Sequence, residues 1–152
     1  MKVLIGVDDS PHGQTALEFV REMSWPAGTQ LLVVSALTPE TPSFGAYEPS
    51  AAVMAAGMVE RIREGQEDLV ARSRQRLTER GLHAEGRVTE GDPRQALLDE
   101  AKREGADLIV VGSRGRTGLE KLLIGSVASH VVAHAECSVL VVRRPSSEGE
   151  AG

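Results

Sequence analysis

Aromatic residues make up only 3% of this chain: two Phe, one Tyr and one Trp in 152 residues. A sequence so poor in aromatics has no stacking platform for single-stranded nucleic acid, and its core must be aliphatic. Basic charge is also short. Seventeen Lys and Arg against 22 Asp and Glu leave a formal net charge of −5, without the basic excess that grips a phosphate backbone, so no nucleic-acid partner is expected. Long apolar runs are missing too. Leu108 to Val111 and Val139 to Val142 fall far short of the roughly 20 residues a membrane-spanning helix needs, so no membrane association is expected. Met1-Lys2 leads directly into Val3-Leu4-Ile5 with no longer apolar leader, and no signal peptide is expected. The single cysteine, Cys137, excludes an intramolecular disulfide and fits a reducing cytoplasm, with Cys137 itself a small buried core residue.

What is abundant is glycine, 16 residues against an average usage of about 7%. Surplus glycine with aliphatic residues suits a single α/β domain whose strands and helices meet in tight turns. Five β-branched, apolar runs separated by stretches of helical period predict a parallel sheet. They are Lys2 to Asp8, Gln30 to Leu37, His83 to Glu90, Asp107 to Gly112 and Ser138 to Arg143. The first helix has Ser10 as its N-cap and Pro11 at its first position, with Ala16, Phe19, Val20 and Met23 on one face, and ends by Trp25-Pro26. A second, long helix is predicted over Ala51 to Arg80, bent or frayed near Gly57 or Gly65. Leu69, Val70 and Leu77 face the sheet, and its dense charges form a solvated face. The third starts at Asp92-Pro93 with Gln95 completing a capping box and stops at Gly105. The last begins near Gly125-Ser126, carries Val127, Val131 and Val132 inward, and closes before Cys137. Thr38 to Ser50 holds Phe44, Tyr47 and three prolines, and reads as a surface loop able to fold over something. The domain is expected over residues 1–145, with residues 146–152 a disordered tail.

Four glycines cluster after the fourth strand and its continuation: Gly112-Ser113-Arg114-Gly115-Arg116-Thr117-Gly118, then Gly125-Ser126 at a helix start. Glycines let backbone N–H groups approach a polyanion, a helix N-terminus adds unsatisfied donors, and Arg114, Arg116 and Lys121 add charge. These are the parts of a phosphate cradle. A turn needs fewer glycines than this, and the segment matches neither the P-loop nor the dinucleotide fingerprint.

Gly112-x-x-Gly115, nine residues, then Gly125-Ser126 resembles the G-2x-G-9x-G-[ST] signature of the ATP-binding branch of the universal stress protein family. Val3 to Ser10, Gly105 to Gly112 and Cys137 to Val142 are similar to that family's first, fourth and closing strands. The resemblance implies an open five-stranded parallel sheet in the order 3-2-1-4-5, with helices on both faces and a Rossmann-like ligand crevice between strands 1 and 4. It also implies a cytoplasmic stress-response module that binds ATP with Mg²⁺ and acts as a regulator rather than a fast enzyme. Asp8 would meet the nucleotide above Gly6 and Val7, and Ala36 would lie against the adenine. Val111 and Gly112 would flank the ribose and base; Arg114 and Gly115 would open the phosphate loop, and Gly125, Ser126 and Val127 close it. Strand 5 carries Val139, Leu140, Val141 and Val142 with no blocking charge until Arg143, so a homodimer through this edge is expected.

Two other chemistries compete. Slow Mg²⁺-dependent ATP hydrolysis would need a positioned water, and Glu120 is the nearest carboxylate to the phosphate loop. A phosphorylation receiver is suggested by Asp8-Asp9 and Arg144-Pro145, but strand 3 ends in Thr89-Glu90 where the acceptor aspartate belongs. His130 and His134, four apart with Cys137 nearby, have a spacing that could hold zinc but read as surface or boundary histidines.

Overall fold

A computed structural model describes residues 1–38, 49–114 and 124–144. Nine elements alternate along the chain: β1 (Lys2–Gly6), α1 (Pro11–Glu22), β2 (Gln30–Leu37), α2 (Pro49–Thr78), β3 (His83–Glu90), α3 (Pro93–Glu104), β4 (Leu108–Gly112), α4 (Ser126–His134) and β5 (Ser138–Val142). The five strands form one sheet in the order β3-β2-β1-β4-β5, every neighbouring pair parallel. That is the predicted α/β fold.

Side-chain alternation explains why helices cover both faces. Val3, Ile5 and Val7 turn to one side with Leu31, Val33 and Val110, and pack against Ala16, Leu17 and Val20 of α1 and Leu69, Val70 and Leu77 of α2. Leu4, Leu32, Val34, Ile109 and Val111 turn to the other, against Leu97 and Ala101 of α3 and Ala128 and Val131 of α4. Strands buried on both faces have no polar side to show, which is why they read as continuous apolar runs.

Several local expectations are corrected. α1 buries Gly13, Ala16, Leu17 and Val20, whereas Phe19 and Met23 are exposed, because the stripe that meets the sheet runs three positions earlier and turns toward Leu17. Val132 is likewise exposed while Val131 is fully buried. At α3, Asp92 accepts from Arg94 N at 2.9 Å, and Gln95 bonds forward to Asp99 Oδ1 at 2.8 Å rather than back to the cap, so there is no capping box. α2 is continuous through Gly57 and Gly65. Its charges do more than meet solvent: Arg76 pairs with Glu18 on α1 and Arg63 with Glu90 on β3, and Arg80, just past the end of α2, pairs with Glu22 on α1. β1, β4 and β5 are shorter than predicted by a residue or two, although Val7 N still donates to Val34 O at 2.9 Å. Cys137 is only half-buried, and that burial raises its thiol pKa.

Candidate functional site

The cleft is built where β1 and β4 end. Beyond Gly6 the chain leaves the sheet, and Asp8 turns it toward α1: its Oδ1 accepts from Ser10 N at 3.0 Å and from the Ser10 hydroxyl. Ser10 Oγ in turn accepts from Gly13 N at 3.1 Å, capping α1 as expected of a serine before Pro11. This chain of bonds needs Gly13, since a Cβ there would lie 2.4 Å from Asp8 Oδ1 and 2.9 Å from its backbone carbonyl. Gly112 is constrained in the same way. A Cβ on it would sit 2.7 Å from the His12 carbonyl oxygen, so the end of β4 lies directly against the first turn of α1. The half-buried Asp8 carboxylate keeps Oδ2 without a hydrogen bond among the described residues.

Across the cleft, Gly125 N donates to Ser113 O at 2.6 Å and Ser113 N to Val142 O at 2.9 Å, which fixes the start of α4 against the ends of β4 and β5. Gly125 is the N-cap, in extended conformation, and among the described residues no side chain caps the helix. The first intrahelical bond runs from Ser129 N to Gly125 O, leaving the N–H groups of Ser126, Val127 and Ala128 without a hydrogen-bond partner among the described residues. α1 and α3, by contrast, are capped by Ser10 and Asp92. The Asp92 carboxylate is pushed down to about 2 by Arg94.

Between these walls lies a cavity of about 470 Å³. Gly6, Val7, Asp8, Ala36, Val111, Gly112, Arg114, Gly125, Ser126 and Val127 all line it. Gly115 lies outside the described residues, as do Arg116, Glu120, Lys121, Phe44, Tyr47 and residues 145–152. Among the described lining residues Arg114 is the only cation and Asp8 the only carboxylate, and no ion pair engages Arg114 among those residues.

The cavity has two chemically different ends. On the β4 side stand Arg114 and the uncapped start of α4; on the β2 side stand Val34, Ala36, Leu37 and Ile62, largely apolar. β1 lies between β2 and β4, so the two ends are about 10 Å apart, two strand spacings. A ligand that is anionic at one end and apolar at the other suits this shape.

Two lining residues escape the sequence reading. Ser35 and Gln66 are buried polar side chains at the β2 end, joined by a hydrogen bond from Ser35 Oγ to Gln66 Oε1. Each interrupts an apolar pattern: Ser35 sits in a doubly buried strand, and Gln66 in the stripe Gln66, Leu69, Val70, Ser73, Leu77 that α2 buries.

The alternatives can be placed as well. β3 lies at the sheet edge with β2 between it and β1, so Glu90 does not meet Asp8 as a receiver's acceptor would; Glu90 pairs with Arg63 instead. His130 and His134 stack at a centroid distance of 4.2 Å, with His134 Nδ1 at 2.9 Å from the His130 carbonyl. Among the described residues no three His, Cys, Asp or Glu side chains are grouped to hold a metal, and no helix is long and apolar enough to cross a membrane.

The model of the universal stress protein family matches residues 1–143. The chain belongs to the universal stress protein family. Among its relatives, universal stress protein Sll1388 of Synechocystis is 30% identical over 149 residues, which is 93% of this chain and 97% of that protein. Solved universal stress proteins and related structures share the fold. Hypothetical protein MJ0577 superposes with a TM-score of 0.83 at 23% identity, covering 96% of this chain and 97% of that one. A universal stress protein family protein from Arabidopsis thaliana, solved with AMP bound, superposes with a TM-score of 0.70 at 22% identity over 99% and 96% of the two chains.

Proposed function

We propose that this universal stress protein binds an adenine nucleotide, ATP with Mg²⁺, in the cleft and acts in the cytoplasm as a nucleotide-dependent regulatory module rather than a fast enzyme. The observation that carries this is the start of α4, uncapped among the described residues, where three N–H donors and the positive end of the helix dipole line the same cavity as Arg114. A polyanion satisfies such donors. The apolar β2 end takes a flat base, and the AMP in the Arabidopsis relative supports adenine as that base. Mg²⁺ would be held by Asp8 together with the phosphates, since this cation is commonly bound through one carboxylate and substrate oxygens, and would neutralise phosphate charge there.

Mass spectrometry of molecules released on denaturing the purified protein, with Mg-ATP titration of protein freed of them, tests this reading. Release of an adenine nucleotide or saturable binding with a Kd on the order of micromolar is expected; neither release nor binding refutes it.

A second reading, slow Mg²⁺-dependent hydrolysis of the bound ATP, is favoured by the Oδ2 of Asp8, which accepts no hydrogen bond among the described residues. Phosphate release by wild type that disappears in Asp8→Ala would establish it.

The protein is further proposed to be a homodimer joined through β5. Among the described residues this edge strand pairs with β4 alone, and Val139, Leu140 and Val141 remain partly open. Light scattering at micromolar concentration should give twice the chain mass for wild type and the single chain mass for Leu140→Lys. A monomeric wild type contradicts the proposal.

A further inference from the structure

Gln66 is a polar side chain that α2 has carried into a buried stripe, 7% exposed at the apolar end of the cavity. Burying a carboxamide is costly unless its groups are paired. Half of it is paired: the Ser35 hydroxyl, itself buried, donates to Oε1. That bond fixes the plane of the amide and commits its oxygen. Nε2 has two hydrogens to donate, and no hydrogen bond among the described residues takes either. Nor is Nε2 sealed inside the protein, since the fully enclosed side-chain atoms without partners among the described residues are His12 Nδ1 and Arg21 Nε. Nε2 therefore touches open space, and the space that Gln66 borders is the cavity. The neighbours there, Ile62, Leu37 and Val34, offer side chains that cannot hydrogen-bond.

Resting on the nucleotide reading above, we infer that Gln66 is a base-reading residue, its Nε2 donating to a ring nitrogen of the adenine while Ser35 acts as the positioning residue that aims it. A ring-nitrogen acceptor placed at this end satisfies the carboxamide donor that the aliphatic neighbours Ile62, Leu37 and Val34 leave open. It fixes the orientation of a base that the aliphatic contacts alone would let turn.

The test compares ATP with its 1-deaza, 3-deaza and 7-deaza analogues, each of which replaces one ring nitrogen by C–H. Against wild type, one of the three should bind about three- to tenfold more weakly than ATP, the effect of losing one neutral hydrogen bond. Against Gln66→Leu, which keeps the side chain's bulk and suits its buried setting, ATP should weaken by the same factor and that analogue should lose no further affinity. Ser35→Ala should diminish the discrimination while leaving the analogue's own affinity nearly unchanged. Circular dichroism and urea midpoints show whether each variant is folded; Gln66→Met, unbranched like Gln and without donors, serves if Gln66→Leu is not. Equal affinity of wild type for all four nucleotides overturns the inference, as does discrimination that persists in the Gln66 variants. A Gln66 effect that tracks the ribose hydroxyl, seen as sensitivity to dATP in place of a deaza analogue, overturns it too. If wild type binds none of these nucleotides, the nucleotide reading itself has failed, which is a different result.

Discussion

Replacing Ser126 by proline should weaken ATP binding roughly ten- to a hundredfold while leaving the fold intact, the loss expected for one hydrogen bond to a charged group. Ser126 is the first residue of α4, and its N–H makes no intrahelical bond. Proline is well tolerated at this position because the N–H it lacks is one the helix does not use. The preceding residue is compatible as well: Gly125 has φ −71° and ψ 168°, the extended conformation that proline imposes on its predecessor. The substitution thus removes a ligand donor with little structural consequence. Ser126→Ala, which deletes only the hydroxyl, is the control that separates the side chain from the backbone. Titration calorimetry of the three proteins, with urea denaturation alongside, gives both readouts. Equal affinity of Ser126→Pro and Ser126→Ala would show that the Ser126 N–H does not hold the phosphates.

Gly112→Val should be severely destabilising, by about 3 kcal/mol or more, at the upper end of overpacking costs. The reason is what a side chain there would meet. His12 O and His12 C lie 2.7 and 2.8 Å from the position of a Cβ, and both are backbone atoms of a helix that is itself packed on β4 and β5. No rotamer change relieves that contact. α1 would have to move off the sheet, taking Ser10 and the Asp8 turn with it. The comparison is Gly57→Val on α2, where a Cβ meets nothing within 4 Å; its stability should change by less than about 1 kcal/mol. Urea denaturation measures both. A Gly112 variant as stable as wild type would mean that β4 and α1 are not in this close contact.

These two sites show what the sequence made legible and what it withheld. β1, β2 and β4 were readable because both faces of the sheet are covered there, so each carries an aliphatic run, that of β2 broken at Ser35; β3, at the sheet edge, is mostly polar. The start of α1 was readable from Ser10 and Pro11, since a capping serine before a proline leaves little choice of structure. The ends of β1 and β4 could be placed at one crevice once the sheet order was in hand, and there the structure brings together Asp8, Gly112 and the start of α4. Gly112, though, carries two roles that sequence cannot separate: it lines the cavity, and it also lets α1 touch β4. The same holds for Asp8, which lines the cleft with one oxygen tied to the α1 cap.

The errors have a common origin in tertiary geometry. Phe19 and Val132 were placed inward by periodicity, but which arc of a helix meets the sheet depends on its docking angle, and a rotation of one position exchanges buried for exposed. Gln95 had the spacing of a capping box, yet Asp99 one turn on competes for its amide. Ser35 and Gln66 carried a signal that went unused. A polar residue at a position the pattern reserves for apolar ones is costly without a partner, and each here is the other's partner, 31 residues apart in sequence.

The most direct measurement is to map backbone amide chemical shifts of the full chain by NMR as Mg-ATP is added. Binding in the cleft predicts that the perturbed amides concentrate at Asp8, Ala36, Leu37, Gly112 and Arg114 and in the first turn of α4 at Ser126, Val127 and Ala128. The opposite end of the strands, around Gln30 and His83, should stay unchanged. Shifts confined to that opposite end, or no shifts at millimolar nucleotide, would contradict a nucleotide site at the carboxyl ends of β1, β2 and β4.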